Sequence, residues 1–236
     1  MTTERRLAAI AGTCFLVATV ASIVGGGMAG GVVDNPDRLA AIPQALPILY
    51  AGVALELVNA LCVVGIAVSL FGFLKRRHES VALAYLGIRL FEALACAAAA
   101  FVPVVLVAVA GRASIAGPLE AETLRVAGAV LADIRSSLSA AAVPLFFCLG
   151  AAVLYLAALK PGILPRFLAV WGLVAVGLVA AMNLAGIGLP AGLLFALPII
   201  LNEIVLGVWL IVKGCPAAPA AQAAVPADGA PAGGAA

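Results

Sequence analysis

The chain has 236 residues, 65% of them hydrophobic and only 10% charged, and its mean hydropathy of +1.23 excludes an ordinary soluble domain. A net charge of +2 is too small to indicate a nucleic-acid partner. One histidine, His78, and five separated cysteines, Cys14, Cys62, Cys96, Cys148 and Cys215, make neither a zinc-ligand set nor a disulfide framework, so no metal and no cofactor is expected.

Crossing about 30 Å of hydrocarbon takes roughly 20 apolar residues in a helix. Six regions reach that length after a short N-terminal segment, 1–6: they cover 7–28, 48–74, 80–110, 139–159, 167–185 and 191–212. The first is followed by GGVVDNPDRLAAIPQALP, whose Gly, Pro, Asn and Asp are read as unable to continue a helix. KRRHES, GRASIAGP, KPGILP and GIGLPAG punctuate the later boundaries, and an amphipathic segment over about 119–138 leads into the fourth span. Residues 214–236 form a Pro/Ala/Gly-rich tail with the single charge Asp228, expected to be disordered. The fold class expected is all-α: a polytopic integral membrane protein built as a bundle of six transmembrane helices.

Arg5 and Arg6 before the first span and MAGG after it have the look of a secretory signal. The apolar run is longer than the roughly 7 to 15 residues of a signal core, so the span is read as retained. With the N-terminus inside, one side carries eight basic residues, Arg5, Arg6, Lys75, Arg76, Arg77, Lys160, Arg166 and Lys213. The other side carries four, Arg38, Arg112, Arg125 and Arg135, so the positive-inside rule places both termini in the cytoplasm. KRRHE, 75–79, is then a topological anchor between the second and third spans.

The residues that carry chemistry are the ionisable ones kept inside spans, since each costs a few kcal/mol on insertion scales unless paired or wetted. These are Glu56, Arg89, Glu92 and Glu203. Arg89 and Glu92 share a helix face with Tyr85. At 1.5 Å per residue, Arg89 lies ~15 Å from Glu79, Glu92 ~20 Å, and Glu203 ~15 Å from Lys213, which puts all three near mid-membrane. Glu56, ~28 Å from Lys75, lies nearer the outer face, with Asn59 one turn further in. Asn183 and Asn202 add amides, and Asp133, Arg135, Ser136, Ser137 and Ser139 crowd the outer end of the fourth span. The set predicts a polar interior that widens outward, with Glu203 the expected partner of the Arg89 and Glu92 pair. Three carboxylates against one arginine leave surplus negative charge, so at least one is expected to be wetted or to hold a proton. Equally, the cluster could be an interhelical ion-pair network that only fixes how helices pack.

GGGMAGG, 25–31, follows a membrane span rather than a strand, which argues against a phosphate-cradling loop. Pro103, Pro144 and Pro198 fall inside spans, where each kinks a helix and frees a carbonyl that could line a cavity.

GIRLFEA at 87–93, GILPRFLAVWG at 162–172 and NEIVLGVWLIVKG at 202–214, with the opening RLAAIAGTCFLVATVASIVGG, resemble a bacterial family of six-span membrane proteins known as domain of unknown function 4386. The resemblance covers roughly residues 5–215 and carries Arg89, Glu92, Pro165, Arg166, Glu203, Trp209, Lys213 and Gly214. Phe71 stands where the family pattern implies a tyrosine. The family implies a topology and no activity.

The favoured functional reading is a bacterial inner-membrane protein that binds or transports a small molecule or ion through a polar cavity floored by Arg89, Glu92 and Glu203. Glu56, Asn59, Tyr85, Asn183 and Asn202 complete the candidate set. A lipid ligand fits the same reading, and six spans suffice for a half-transporter that works as a homo-oligomer. A membrane-embedded enzyme acting on a lipid or isoprenoid ranks behind it, because the buried carboxylates lack a metal-ligand set or a nucleophile and base pair. The third reading is a non-catalytic membrane assembly partner.

Overall fold

The computed structural model describes residues 3–76, 78–159, 164–187 and 191–215. Arg77, Lys160, part of the KPGILP and GIGLPAG punctuation and the tail from residue 216 onward lie outside the described residues. Among those described there is no strand.

Six helices are long and apolar enough to cross a membrane. Helix α1 covers Thr3–Val33, α3 Leu46–Lys75, α4 Glu79–Ala113, α7 Arg166–Leu184 and α8 Ala191–Val212. Helix α5, Pro118–Ser137, runs through a π-helical turn, Leu138–Ala142, into α6, Val143–Ala158, as one rod. The short α2, Arg38–Ala41, and a 3-10 turn, Ile42–Gln44, join α1 to α3. Neighbours around the bundle run α1, α3, α4, α6, α7, α8 and back to α1, which closes a ring.

Two boundaries differ from the sequence reading. Helix α1 begins before residue 7 and continues through GGGMAGG to Val33, although glycine costs a helix interior roughly 1 kcal/mol against alanine. Close packing explains it. A Cβ on Gly25 would sit 3.0 Å from the Gly52 carbonyl oxygen and from the Glu56 nitrogen, and one on Gly52 2.7 Å from the Ala29 nitrogen. Only residues without a side chain let α1 and α3 approach this closely. The same device recurs between α1 and α8, where a Cβ on Gly12 would lie 2.4 Å from the Gly207 oxygen.

At the other end of the chain, Gly214 belongs to the fold rather than to a tail. It takes φ +75° and its N–H bonds the Leu210 carbonyl at 3.1 Å, so it caps α8 in the left-handed conformation that glycine adopts without strain. The Arg5 guanidinium donates to the Ile211 and Val212 carbonyls at 3.1 and 2.6 Å. A cation on orphan carbonyls at a helix C-terminus is favoured by the helix dipole.

The π turn has a local cause. Pro144 has no N–H to offer the Ala140 carbonyl and its ring crowds that turn, and the chain widens so that Val143 donates to Leu138 instead.

Two apolar clusters occupy the two ends. One, built on Phe15, Ile66, Leu70, Leu154, Leu168 and Leu206, fills the end that carries both termini. The other, built on Val33, Ile42, Leu49, Leu106 and Ala110, packs α2 and the 3-10 turn over the ends of α1, α3 and α4. The polar side chains lie between them.

Candidate functional site

A cavity of about 650 Å³ lies inside the helix ring. Along α1 its lining runs from Phe15 to Asp34, ~28 Å at the helical rise per residue. Gly30, Asp34, Ile187 and Gly192 belong to the end opposite the termini, so the cavity reaches from that end to mid-bundle.

Arg89 sits at the floor, 2% exposed. Its Nη1 donates to both oxygens of Glu92 at 2.9 and 2.7 Å, and its Nε donates to the Tyr85 hydroxyl oxygen at 3.3 Å. The guanidinium carbon lies 5.6 Å from the centre of the Tyr85 ring and 5.7 Å from that of Phe147, within cation–π range. Gly150 of α6 makes room for the arginine stem, since a Cβ there would stand 3.2 Å from Arg89 Cδ.

Glu203 lines the same cavity from α8, but not as the direct partner of Arg89. The ion pairs of the described residues leave it without a cation within 4.0 Å. Among the described residues its one donor is the Thr19 hydroxyl of α1 at 3.3 Å, which also lies 2.9 Å from the Phe15 carbonyl and has a single proton for both. Arg89, Glu92 and Glu203 thus share a cavity without forming one salt-bridge triad.

Glu56 has a partner that the sequence reading placed at the outer end of the fourth span and counted with the outer basic residues. Arg135, 5% exposed, donates through Nη2 to Glu56 Oε1 at 2.5 Å and through Nη1 to Oε2 at 3.0 Å. The same Nη1 reaches the Ala99 carbonyl at 2.7 Å. That carbonyl would bond the amide of residue 103 in an unbroken helix, and Pro103 has none to give. The arginine therefore neutralises a carboxylate and satisfies a proline-freed carbonyl together. Of Glu56, Glu92 and Glu203, only Glu203 is then left without an arginine partner among the described residues.

Asn59 faces the cavity and donates to Cys96 Sγ at 3.7 Å, and Asn183 lines it near the mouth while its amide bonds the Val179 carbonyl at 2.8 Å. Asn202 and Tyr85 do not line the cavity. Asn202 is fully buried, accepts the Tyr155 hydroxyl at 2.5 Å and donates to the Leu168 carbonyl at 3.1 Å, which ties α6, α7 and α8 together. Adjacent residues on a helix point about 100° apart, so Asn202 and Glu203 cannot serve one face.

Sequence reasoning missed Thr19 and Tyr155, and it named Arg135 without its partner Glu56. Thr19 stands with Thr13 and Ser22 as one of three hydroxyls in the first span, and Pro103 announced a carbonyl in need of a donor. Chemically the arrangement offers two internally neutralised ion pairs and one carboxylate with free lone pairs. Among the described residues no group of three His, Cys, Asp or Glu could hold a metal ion.

No curated protein and no solved structure matches the chain. The family described as domain of unknown function (DUF4386) matches residues 10–214. The match takes in α1 from residue 10, the other five membrane-type helices whole and every residue of the cavity, and the chain belongs to the DUF4386 family.

Proposed function

We propose that this protein binds a small molecule or ion in the intramembrane cavity and carries it across a bacterial inner membrane. The observation that carries the reading is one continuous cavity from the bundle's far end to Arg89, Glu92 and Glu203 at mid-depth. Ionisable groups at that depth are costly, and water or a ligand in the cavity offsets the cost. With both termini taken as cytoplasmic, on the positive-inside rule, the mouth turns outward. The basic residues support this more strongly now, because Arg135 is spent inside the bundle on Glu56 and leaves Arg38, Arg112 and Arg125 on the mouth side.

A structural role is favoured for one part of the cluster. Glu92 has both oxygens on Arg89, so this pair is a strut that holds its own helix face and supports the cavity floor. Glu203 is left as the group free to meet a ligand or a proton.

Arg89→Gln, Glu92→Gln and Glu203→Gln separate the roles. In proteoliposomes with an imposed pH gradient and an internal pH dye, Glu203→Gln is expected to keep its folded yield and lose the protein-dependent flux. Loss of folded protein in all three variants together would assign the whole cluster to packing.

A further inference from the structure

The charges lining the cavity do not balance. Four carboxylates, Asp34, Glu56, Glu92 and Glu203, face two guanidinium groups, Arg89 and Arg135. Both guanidinium groups are already committed, Arg89 to Glu92 and Arg135 to Glu56, in contacts of 2.5 to 3.0 Å. What remains is Asp34 at the mouth and Glu203 at the floor, two carboxyl groups that no arginine pairs with among the described residues.

The surroundings of Glu203 decide what kind of positive charge could meet it. A carboxylate has about four lone-pair sites, and here it receives one shared hydroxyl proton at 3.3 Å. The walls near it are hydrocarbon: Phe15, Val63, Ile66, Val179, Ile199 and Ile200. A bare divalent cation needs six or more oxygen ligands, and one carboxylate with one hydroxyl does not supply them. A cation that carries its own apolar bulk needs only the counter-charge, and the hydrocarbon lining, Phe15 included, covers its apolar part. The volume of about 650 Å³ falls within the roughly 300 to 1,000 Å³ of small-molecule sites.

We infer that the cavity takes an amphiphilic organic cation, with the Glu203 carboxylate as its counter-ion and the hydrocarbon walls around its apolar part. The inference rests on the cavity being a ligand site, as proposed above. Asp34 at the mouth attracts the same sign of charge, so entry and binding select alike.

Three probes of nearly equal bulk test it on the purified full chain in detergent by equilibrium dialysis: tetraphenylphosphonium, tetraphenylborate and neutral tetraphenylsilane. The cation is expected to bind saturably, and at least about tenfold more tightly than the anion or the neutral probe. Glu203→Gln should weaken cation binding by about tenfold or more, while Glu203→Asp keeps it within about threefold. If Glu203→Gln does not fold, the charge preference of the unaltered protein and of Glu203→Asp still decides. Saturable binding of the borate or the neutral probe as tight as that of the cation overturns the cation while leaving a ligand cavity in place. Unchanged affinity in a folded Glu203→Gln overturns the counter-ion. Saturable binding of none of the three overturns both the inference and the function on which it rests.

Discussion

Replacing Arg135 by methionine removes a charge and two separate hydrogen-bond services, so the cost can be built from the contacts. The side chains of Arg135 and Glu56 are 7% and 14% exposed, and removing one partner of a buried pair typically costs about 3 to 5 kcal/mol. The Ala99 carbonyl also loses its donor, and Pro103 cannot replace it. In Glu56→Gln/Arg135→Met the stranded carboxylate is gone and mainly the orphaned carbonyl remains, a cost of about 1 to 3 kcal/mol. The orphaned carbonyl is common to both, so the double variant is expected to be more stable than Arg135→Met alone by about 3 to 5 kcal/mol, the cost of the stranded charge. Unfolding by sodium dodecyl sulfate in mixed micelles, followed by tryptophan emission, measures this. Additive single costs, with the double variant the least stable of the set, would refute the paired arrangement.

Gly172→Ala tests the structural corner of the bundle. Its Cβ would lie 2.5 Å from Tyr155 Cζ, so the ring must move and the hydroxyl bond to Asn202 suffers. A loss of about 1 to 3 kcal/mol is expected from overpacking, read by the same unfolding assay, whereas unchanged stability would show that the ring shifts freely. Cys215, beyond the end of α8, tests the packing of that terminus. Burial pushes its thiol up from 9.0 to about 12, which lowers the thiolate fraction at pH 8 by roughly a thousandfold. Its alkylation by iodoacetamide should be far slower in the folded protein than in the unfolded chain and should speed up as pH rises. Equal rates at pH 8 would mean an exposed terminus.

The six spans were legible because uninterrupted apolar runs of membrane length occur in few other settings. The span ending at Ala185 illustrates a local signal that carried through. Gly186 at φ +65° donates to the Asn183 carbonyl while Ile187 donates to that of Met182, so the GIG stretch stops α7 with a paired glycine cap. The end of α1 was misplaced for the opposite reason. Glycine propensity argued for a loop, and interhelical contact with Gly52 and Ala29 overrode it, which no single-helix rule contains.

Depth counting brought Arg89, Glu92 and Glu203 into one cavity, because the rise per residue is constant within a helix. For Arg135 the sequence showed the place and not the partner. The amphipathic segment does lead into the fourth span as one rod, and only the packed bundle shows that its π turn leaves Arg135 against α3 and α4. Asn202 was over-read, since only the facing Tyr155 reveals that its amide is already used.

The central claim is a cavity open to water from the end opposite the termini, and thiol access measures it most directly. In a variant with all five native cysteines replaced, single cysteines are placed at Ser139, which lines the cavity, and at Leu61, 72% exposed on the outer face of α3. A membrane-impermeant cationic methanethiosulfonate reagent is then applied to intact cells. The account predicts labelling at 139 and protection at 61, where lipid excludes the reagent. Protection at 139 from both sides of the membrane, in a folded variant, would contradict it.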